Sequence, residues 1–381
     1  MDKYNKIGID RIVFKAIDPN NINVKILKEN FLFLENGEYY RVMIDKTGEK
    51  IKVSYIKIKN NELLKLKFNE FKLGIERARD ILIPYEYLDA TLPSVLSDEG
   101  INIKNISSVE SLKECIELLE LELNKCGILN VDLKSAEIEE LEINVNIPLQ
   151  NQFKDYEKAI NYMESVLPLS LLGLGVYGDR VKRKNRIRTK KRYTGFKVGN
   201  KSISLKFYDK RAQVLKEHKR DIGEELLRIE YRLLSGTKVK ELLGHNEVSK
   251  LLSEFDNIEK AFRKRLEKDL VLRLYKSIEE EQKASIKLLK RYKKSGKGAI
   301  DSLLKNHELL DIELALSAYK EIEKVHYARE CKRAIKSALE VERENMLGNI
   351  NKINEILEGM GYKKIELNIT KTVKKELEKY Y

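Results

Sequence analysis

The sequence predicts an α+β protein, an antiparallel sheet followed by a mainly helical C-terminal region. Three observations predict it. β-Branched and aromatic residues alternate with period two in runs that recur up to about residue 234, and Gly, Asn and Thr turn signals separate the runs. Beyond Thr237 the alternation gives way to Leu, Ile, Lys and Glu at three-to-four spacing. No proline occurs after Pro168, so nothing interrupts those later helices.

The first strands are expected at Ile9–Ile17, Phe31–Phe33, Tyr39–Ile44, Ile51–Lys59 and Leu63–Phe71, with Asn36-Gly37 and Thr47-Gly48 as turns. They read as an antiparallel meander. Leucines and isoleucines from Ser108 to Lys125 repeat at helical intervals behind a cap at Ser107 or Ser108. A strand of strict alternation follows at Glu140–Ile147, then a helix from about Phe153 to Val166. Gly199-Asn200 turns a hairpin between Tyr193–Val198 and Lys201–Tyr208, and Glu225–Leu234 is a further strand. Five or six helices are expected up to about residue 360, then a short strand at Lys364–Thr370. The chain thus divides into a β-rich region (1–100), a sheet region carrying a basic segment (101–236) and a helical domain (237–381).

With 381 residues, 42% of them hydrophobic and 35% charged, the chain can build sizeable cores and is neither fibrous nor disordered. No stretch approaches the roughly 18 apolar residues of a membrane span. No apolar run follows the N-terminal Met-Asp-Lys-Tyr, so no signal peptide is expected and the cytoplasm is the expected compartment. Cys115, Cys126 and Cys331 are too scattered for a disulfide frame or a zinc site. His218, His245, His307 and His326 form no His-x-His pair.

Net charge is +13, and its distribution is local. Residues 180–220 hold 17 Lys or Arg against Asp209 and Glu217, which makes that segment +15. A polyanion is the expected partner. Arg183, Lys184, Arg186, Arg188, Lys190, Lys191 and Arg192 are expected to follow a DNA backbone, with Tyr193 able to stack on an unpaired base.

Alternation also gives three strands a polar face each. Glu142, Asn144 and Asn146 share one; Arg228, Glu230 and Arg232 a second; Ser204, Lys206, Tyr208 and Lys210 a third. Brought together in one sheet, these faces suit phosphodiester chemistry. Glu142, Glu230 and Asn144 offer oxygen ligands for Mg²⁺ or Mn²⁺, while Lys206 and Arg228 are expected to meet DNA phosphates. A free tyrosine has a pKa of about 10, so Tyr208 needs a neighbouring lysine or metal ion to act as a nucleophile. Each feature alone is ordinary: glutamates on solvent faces are common, and Tyr208 is one of 19 tyrosines. Their order along the chain carries the reading.

That order resembles the phage and plasmid replication proteins of the gene II / gene X family, which initiate rolling-circle replication. Four segments carry the resemblance: Ile9-Asp10-Arg11-Ile12, Leu141-Glu142-Ile143-Asn144, Phe207-Tyr208-Asp209-Lys210 after Thr194-Gly195-Phe196, and Leu227-Arg228-Ile229-Glu230. It spans roughly residues 7–260 and is clearest over 193–234. It implies an antiparallel-sheet nicking core. Tyr208 would attack one DNA strand at an origin and keep the 5′-phosphate, leaving a 3′-OH primer and allowing later rejoining. Lys210 would assist at the phosphate and Glu230 would help hold the metal. Glu142 would be the first acid, or Asn144 after a shift of one step. A host polymerase is the implied partner, and the helical half is left three roles: recognising origin duplex, binding a helicase, or dimerising. The wider superfamily's His-hydrophobe-His metal pair has no counterpart, so acids and amides, or a lone histidine such as His218, must serve.

Rival readings are a relaxase-like mobilisation protein, a tyrosine recombinase, and a basic DNA-binding regulator without catalysis. The relaxase's usual histidine cluster is absent here, and a recombinase's tyrosine normally sits near the C-terminus of a helical domain with Arg and His partners. Dependence on both Tyr208 and a divalent metal separates the third from the enzymes.

Overall fold

The computed structural model describes residues 6–17, 21–22, 40–44, 50–60, 65–78, 81–97, 105–168, 171, 175–177, 194–291 and 349–366. Its centre is a ten-stranded sheet in the order β3-β4-β5-β6-β1-β8-β12-β11-β10-β9. These strands are β1 (Gly8–Lys15), β3 (Tyr40–Ile44), β4 (Lys50–Lys59), β5 (Glu70–Ala78), β6 (Ile81–Thr91), β8 (Glu137–Pro148), β9 (Gly175–Tyr177), β10 (Gly195–Gly199), β11 (Ile203–Asp209) and β12 (Leu226–Leu233). Every neighbouring pair is antiparallel. A two-residue ribbon joins β2 (Asn21–Ile22) to β7 (Ile128–Leu129).

The expected meander is present from β3 to β6, shifted along the chain. Asn60 bonds both Leu66 N (2.9 Å) and Leu66 O (2.8 Å), closing a loop where a strand was expected over 63–71. Strand β5 consequently starts only at Glu70. Phe31–Phe33 lies outside the described residues.

Among the described residues the helices are α1 (Leu92–Leu96), α2 (Val109–Lys125), α3 (Glu157–Ser165), α4 (Lys210–His218), α5 (Gly236–Leu243), α6 (Val248–Ser253), α7 (Asn257–Leu266), α8 (Leu272–Arg291) and α9 (Asn349–Gly359). Helix α2 starts as expected: Ser108 Oγ accepts from Ser111 N. It buries Leu112, Cys115, Ile116, Leu119 and Leu123, the one-sided stripe that three-to-four spacing produces. The helix expected from Phe153 opens with a 3₁₀ turn over Phe153–Tyr156.

One hydrophobic cluster contains the apolar face of the central strands and the helices on it, from Ile7 to Met360. The helices after residue 236 share that core, through Val239, Val248, Phe262, Leu270, Ile353 and Leu357. Helix α9 comes so close that a Cβ on Gly359 would meet Ile147 Cγ2 at 2.4 Å. After α9 the chain folds back on Asn354, whose Oδ1 accepts from Ile365 N at 2.7 Å. Residues 363–366 are therefore not a strand, and 367–370 lie outside the described residues. No helix among the described residues is long and apolar enough to cross a membrane.

Candidate active site

Pairing at the middle of the sheet decides which polar side chains meet. Glu230 on β12 lies opposite Asn144 on β8 and opposite Lys206 on β11. One pair along, Arg228 lies opposite both Asn146 and Tyr208. In the other direction Arg232 faces Glu142. The three polar faces read from alternation, Lys210 apart, thus form one face of one sheet. Apolar partners such as Ile143, Ile229 and Phe207 turn the opposite way into the core.

Strand β1 adds a residue that alternation does not expose. Ile9 pairs with Ile143, but the next pair is Arg11 with Glu142, so Asp10 sits in a β-bulge. The bulge brings Asp10 onto the polar face. Carboxylate oxygens of Asp10, Glu142 and Glu230 all lie within 4.8 Å of one another, and all three residues are buried. Among the described residues this is the group of acids that could hold a metal ion. The signal for Asp10 was the doublet Asp10-Arg11 between two isoleucines, which breaks period two as a bulge does.

Cations surround these acids. Lys206 Nζ is ion-paired to Glu230 Oε1. Arg232 Nε contacts Glu142 Oε1 at 2.9 Å, and its Nη2 contacts Glu140 at 2.6 Å. Arg11 grips Asp89 through two 2.6 Å bonds and reaches Glu142 at 3.4 Å. Arg228 is fully buried: Nε donates to Asn146 Oδ1 (2.7 Å), Nη1 to Asp10 Oδ1 (3.4 Å), and the guanidinium also bonds Tyr208. Expected on a DNA-contacting face, Arg228 is instead interior to the cluster, where a guanidinium's several donors can serve three partners at once.

Tyr208 is half-buried, and its hydroxyl donates to Glu230 Oε2 at 3.1 Å. Burial first and the Glu230 charge second drive its pKa well above the ordinary tyrosine range, against the pull of Arg228. Without a metal the phenol keeps its proton. Lys210 is not on the strand: β11 ends at Asp209, whose side chain caps α4 through Ala212 N at 2.8 Å. Lys210 opens that helix with its Nζ on Gln213 Oε1 at 2.8 Å, and burial, with Arg228 next, brings its ammonium down to about 7. Burial and then the Glu230 charge push Glu142 up to about 7. Burial opposes the charge of Glu230 too, but Lys206 and Arg228 outweigh it and hold that carboxyl below its usual range.

The residues fit a divalent ion on a further observation. Asn144 is completely buried beside this cluster, and neither its Oδ1 nor its Nδ2 has a hydrogen-bond partner. The segment at Asn105 and Ile106 closes over it, because a Cβ on Gly8, the pairing partner of Asn144, would meet Ile106 O at 2.5 Å. A buried amide left unpaired costs about 1–3 kcal/mol, which a metal ligand role would offset. The donor set is all oxygen, suited to Mg²⁺ or Mn²⁺ rather than zinc. His218 takes no part; it is exposed in the last turn of α4, away from the buried end that carries Lys210.

The chain matches no protein-family model and no curated protein. The basic residues Arg183, Lys184, Arg186, Arg188, Lys190, Lys191 and Arg192, with Tyr193, lie outside the described residues. Its flanks are described: the segment enters after β9 and leaves into β10, at the edge of the sheet that carries the Tyr208 side of the polar face.

Proposed function

We propose that the protein is a rolling-circle replication initiator that nicks one DNA strand at an origin with Tyr208. The observation that carries this reading is the Tyr208–Glu230 hydrogen bond inside a cluster of three buried carboxylates. A tyrosine with only a packing role has no need of that company.

In the proposed step Tyr208 Oη attacks phosphorus while the bond to the 3′-oxygen breaks. A 5′-phosphotyrosine ester and a free 3′-OH result. Glu230 Oε2 already receives the phenol hydrogen and is placed to take the proton as the new bond forms. The leaving 3′-oxygen takes its proton from solvent, to which Glu230 then returns the one it accepted. Arg228 supports negative charge on the tyrosine oxygen, and Lys210 is close enough to the cluster to supply a second positive charge when protonated. Asp10, Glu142, Glu230 and Asn144 would hold Mg²⁺ or Mn²⁺, which polarises a phosphate oxygen when bound. The ester conserves the bond energy, so attack by a 3′-OH rejoins the strand. Origin DNA is the proposed substrate, with a host helicase and polymerase acting on the nicked product.

One observation favours a second reading, a basic DNA-binding regulator without catalysis. Each cluster carboxylate is already ion-paired, as in a purely structural polar network. Supercoiled plasmid carrying the gene's own flanking DNA, incubated with Mg²⁺ or Mn²⁺, separates the two. Nicked circles with protein on the 5′ end, lost in Tyr208→Phe while DNA binding survives, are expected. Binding without nicking by the wild type would establish the regulator.

A further inference from the structure

Beside the carboxylate cluster lies a lysine that none of the foregoing uses. Lys197 is the middle residue of β10, between Phe196 and Val198, both buried on the core face. Phe196 stacks on Phe207 with ring centroids 4.8 Å apart, which anchors that orientation. Lys197 must therefore stand on the polar face with Tyr208 and Lys206.

Its surroundings are unusual in two ways. First, its direct cross-strand partner is Lys206, a like charge. Lys206 is committed to Glu230, whereas Lys197 has no hydrogen-bond or ion-pair partner among the described residues. Burial first, then the neighbouring Lys206 and Arg232, lower its pKa against the pull of Glu142 and Glu230. Like charges directly opposite on a sheet are destabilising, so the fold bears a cost at this position.

Second, Lys197 is flanked by glycines. Its neighbours on the same face of β10 are Gly195 and Gly199, and its partner on β9 is Gly175. Gly195 has φ +126°, and a Cβ there would meet Phe207 O at 2.0 Å; on Gly199 it would meet Ile203 O at 2.4 Å. Backbone packing thus accounts for two of these glycines. The consequence is a strip with one long cationic side chain and no other side chain from β10. Gly195 is also the cross-strand partner of Tyr208, so the strip runs up to the tyrosine. Glycines in a strand mark places where another backbone can approach closely.

We propose that Lys197 is a phosphate-binding residue that seats the backbone of single-stranded DNA on this glycine strip beside Tyr208. The inference rests on the nicking reading of the same face and names its substrate contact. Lys197 lies two residues along β10 from the partner of Tyr208, about 7 Å at the rise of a strand. A phosphate held there takes the Lys197 ammonium as its ligand, while Lys206 stays paired with Glu230. Arg232 and Lys206 offset the charges of the neighbouring Glu142 and Glu230.

The test uses the full chain in a Tyr208→Phe background, where nothing is cleaved, with EDTA present. Anisotropy of a labelled single-stranded oligodeoxynucleotide of mixed sequence is followed against salt. Lys197→Gln is expected to weaken binding about tenfold at low salt and to reduce the log–log salt slope by about 0.7, the loss of one phosphate contact. Lys197→Arg should retain affinity. Melting temperature should stay level or rise in Lys197→Gln, because a like-charge pair has been removed. Unchanged affinity and slope overturn the proposal, and so does a loss of affinity accompanied by a lower melting temperature. Wild type that binds through Lys197 yet never forms a covalent adduct sinks the nicking reading and leaves the phosphate seat. Nicking with Lys197→Gln binding unaltered does the reverse.

Discussion

Tyr208 and Glu230, on adjacent strands, are joined by a 3.1 Å hydrogen bond in which the phenol donates to Oε2. They are not directly opposite: Tyr208 pairs with Arg228 and Glu230 with Lys206, so the bond runs diagonally across the ladder. Both residues are thereby tied to two cations. Four expectations follow from the packing around this bond.

Asn144→Leu removes a buried amide that has no partner in the metal-free protein. In EDTA the variant should be more stable, by about 1–2 kcal/mol, and the rise in melting temperature on adding Mn²⁺ should shrink. Denaturant titrations with and without metal measure both effects. A variant that is less stable in EDTA and keeps the full metal response shows that the amide is not a ligand.

Metal-free stability should pass through a trough near pH 7. Glu142, raised to about 7, holds a proton in the folded state that the unfolded chain releases near pH 4.5, so stability falls between those values. Lys210, lowered to about 7, has lost a proton that the unfolded chain keeps to about 10.5, so stability rises over that range. Each limb has a slope of about 1.4 kcal/mol per pH unit. Glu142→Gln should flatten the acid limb and Lys210→Met the alkaline one. Urea midpoints measured from pH 4 to 10 that show no trough would contradict both assignments.

On the opposite face of β12, Tyr231 bonds Asp269, which lies in a π-turn over Glu267–Val271, and Arg265 Nε reaches both at 3.1 and 2.8 Å. Tyr231→Phe should cost about 1–2 kcal/mol because Asp269 loses a buried donor. Metal-induced stabilisation and nicking should not change, since the strand separates this network from the polar face. A changed metal response would show that the two faces are coupled.

Helix α9 is expected to be integral to the sheet layer. Glu355 accepts from Tyr156 Oη at 2.6 Å and from Gln150 N at 2.8 Å, and Ile353, Ile356 and Leu357 are buried. Truncation after residue 348 should therefore abolish cooperative unfolding of the remainder or lower its melting temperature by more than 10 °C, on the order of several kcal/mol of lost burial. Glu355→Ala, with the helix kept, should cost about 2 kcal/mol. Circular dichroism melts compare the three proteins, and a truncated chain that melts like the full one would place α9 outside the core.

Period-two alternation at Leu141–Ile147, Ile203–Tyr208 and Leu227–Leu233 determined by itself which side chains share a face, because successive residues of a strand point to opposite sides. The cap at Ser108 and the hairpin turn at Gly199-Asn200 were equally local and equally legible. Which strands are neighbours, and in what register, was not. That rests on contacts between residues far apart in the chain, such as Arg228 with Asp10 and Arg11 with Asp89. The doublet Asp10-Arg11 marked a break in period two, but only tertiary structure brought Asp10 to the other two acids, through a bulge against the partner strand. It alone turned Arg228 from an expected surface cation into a buried one and moved Lys210 from strand to helix. Local geometry sets the direction of a side chain; its burial and its partners depend on what the rest of the chain lays beside it.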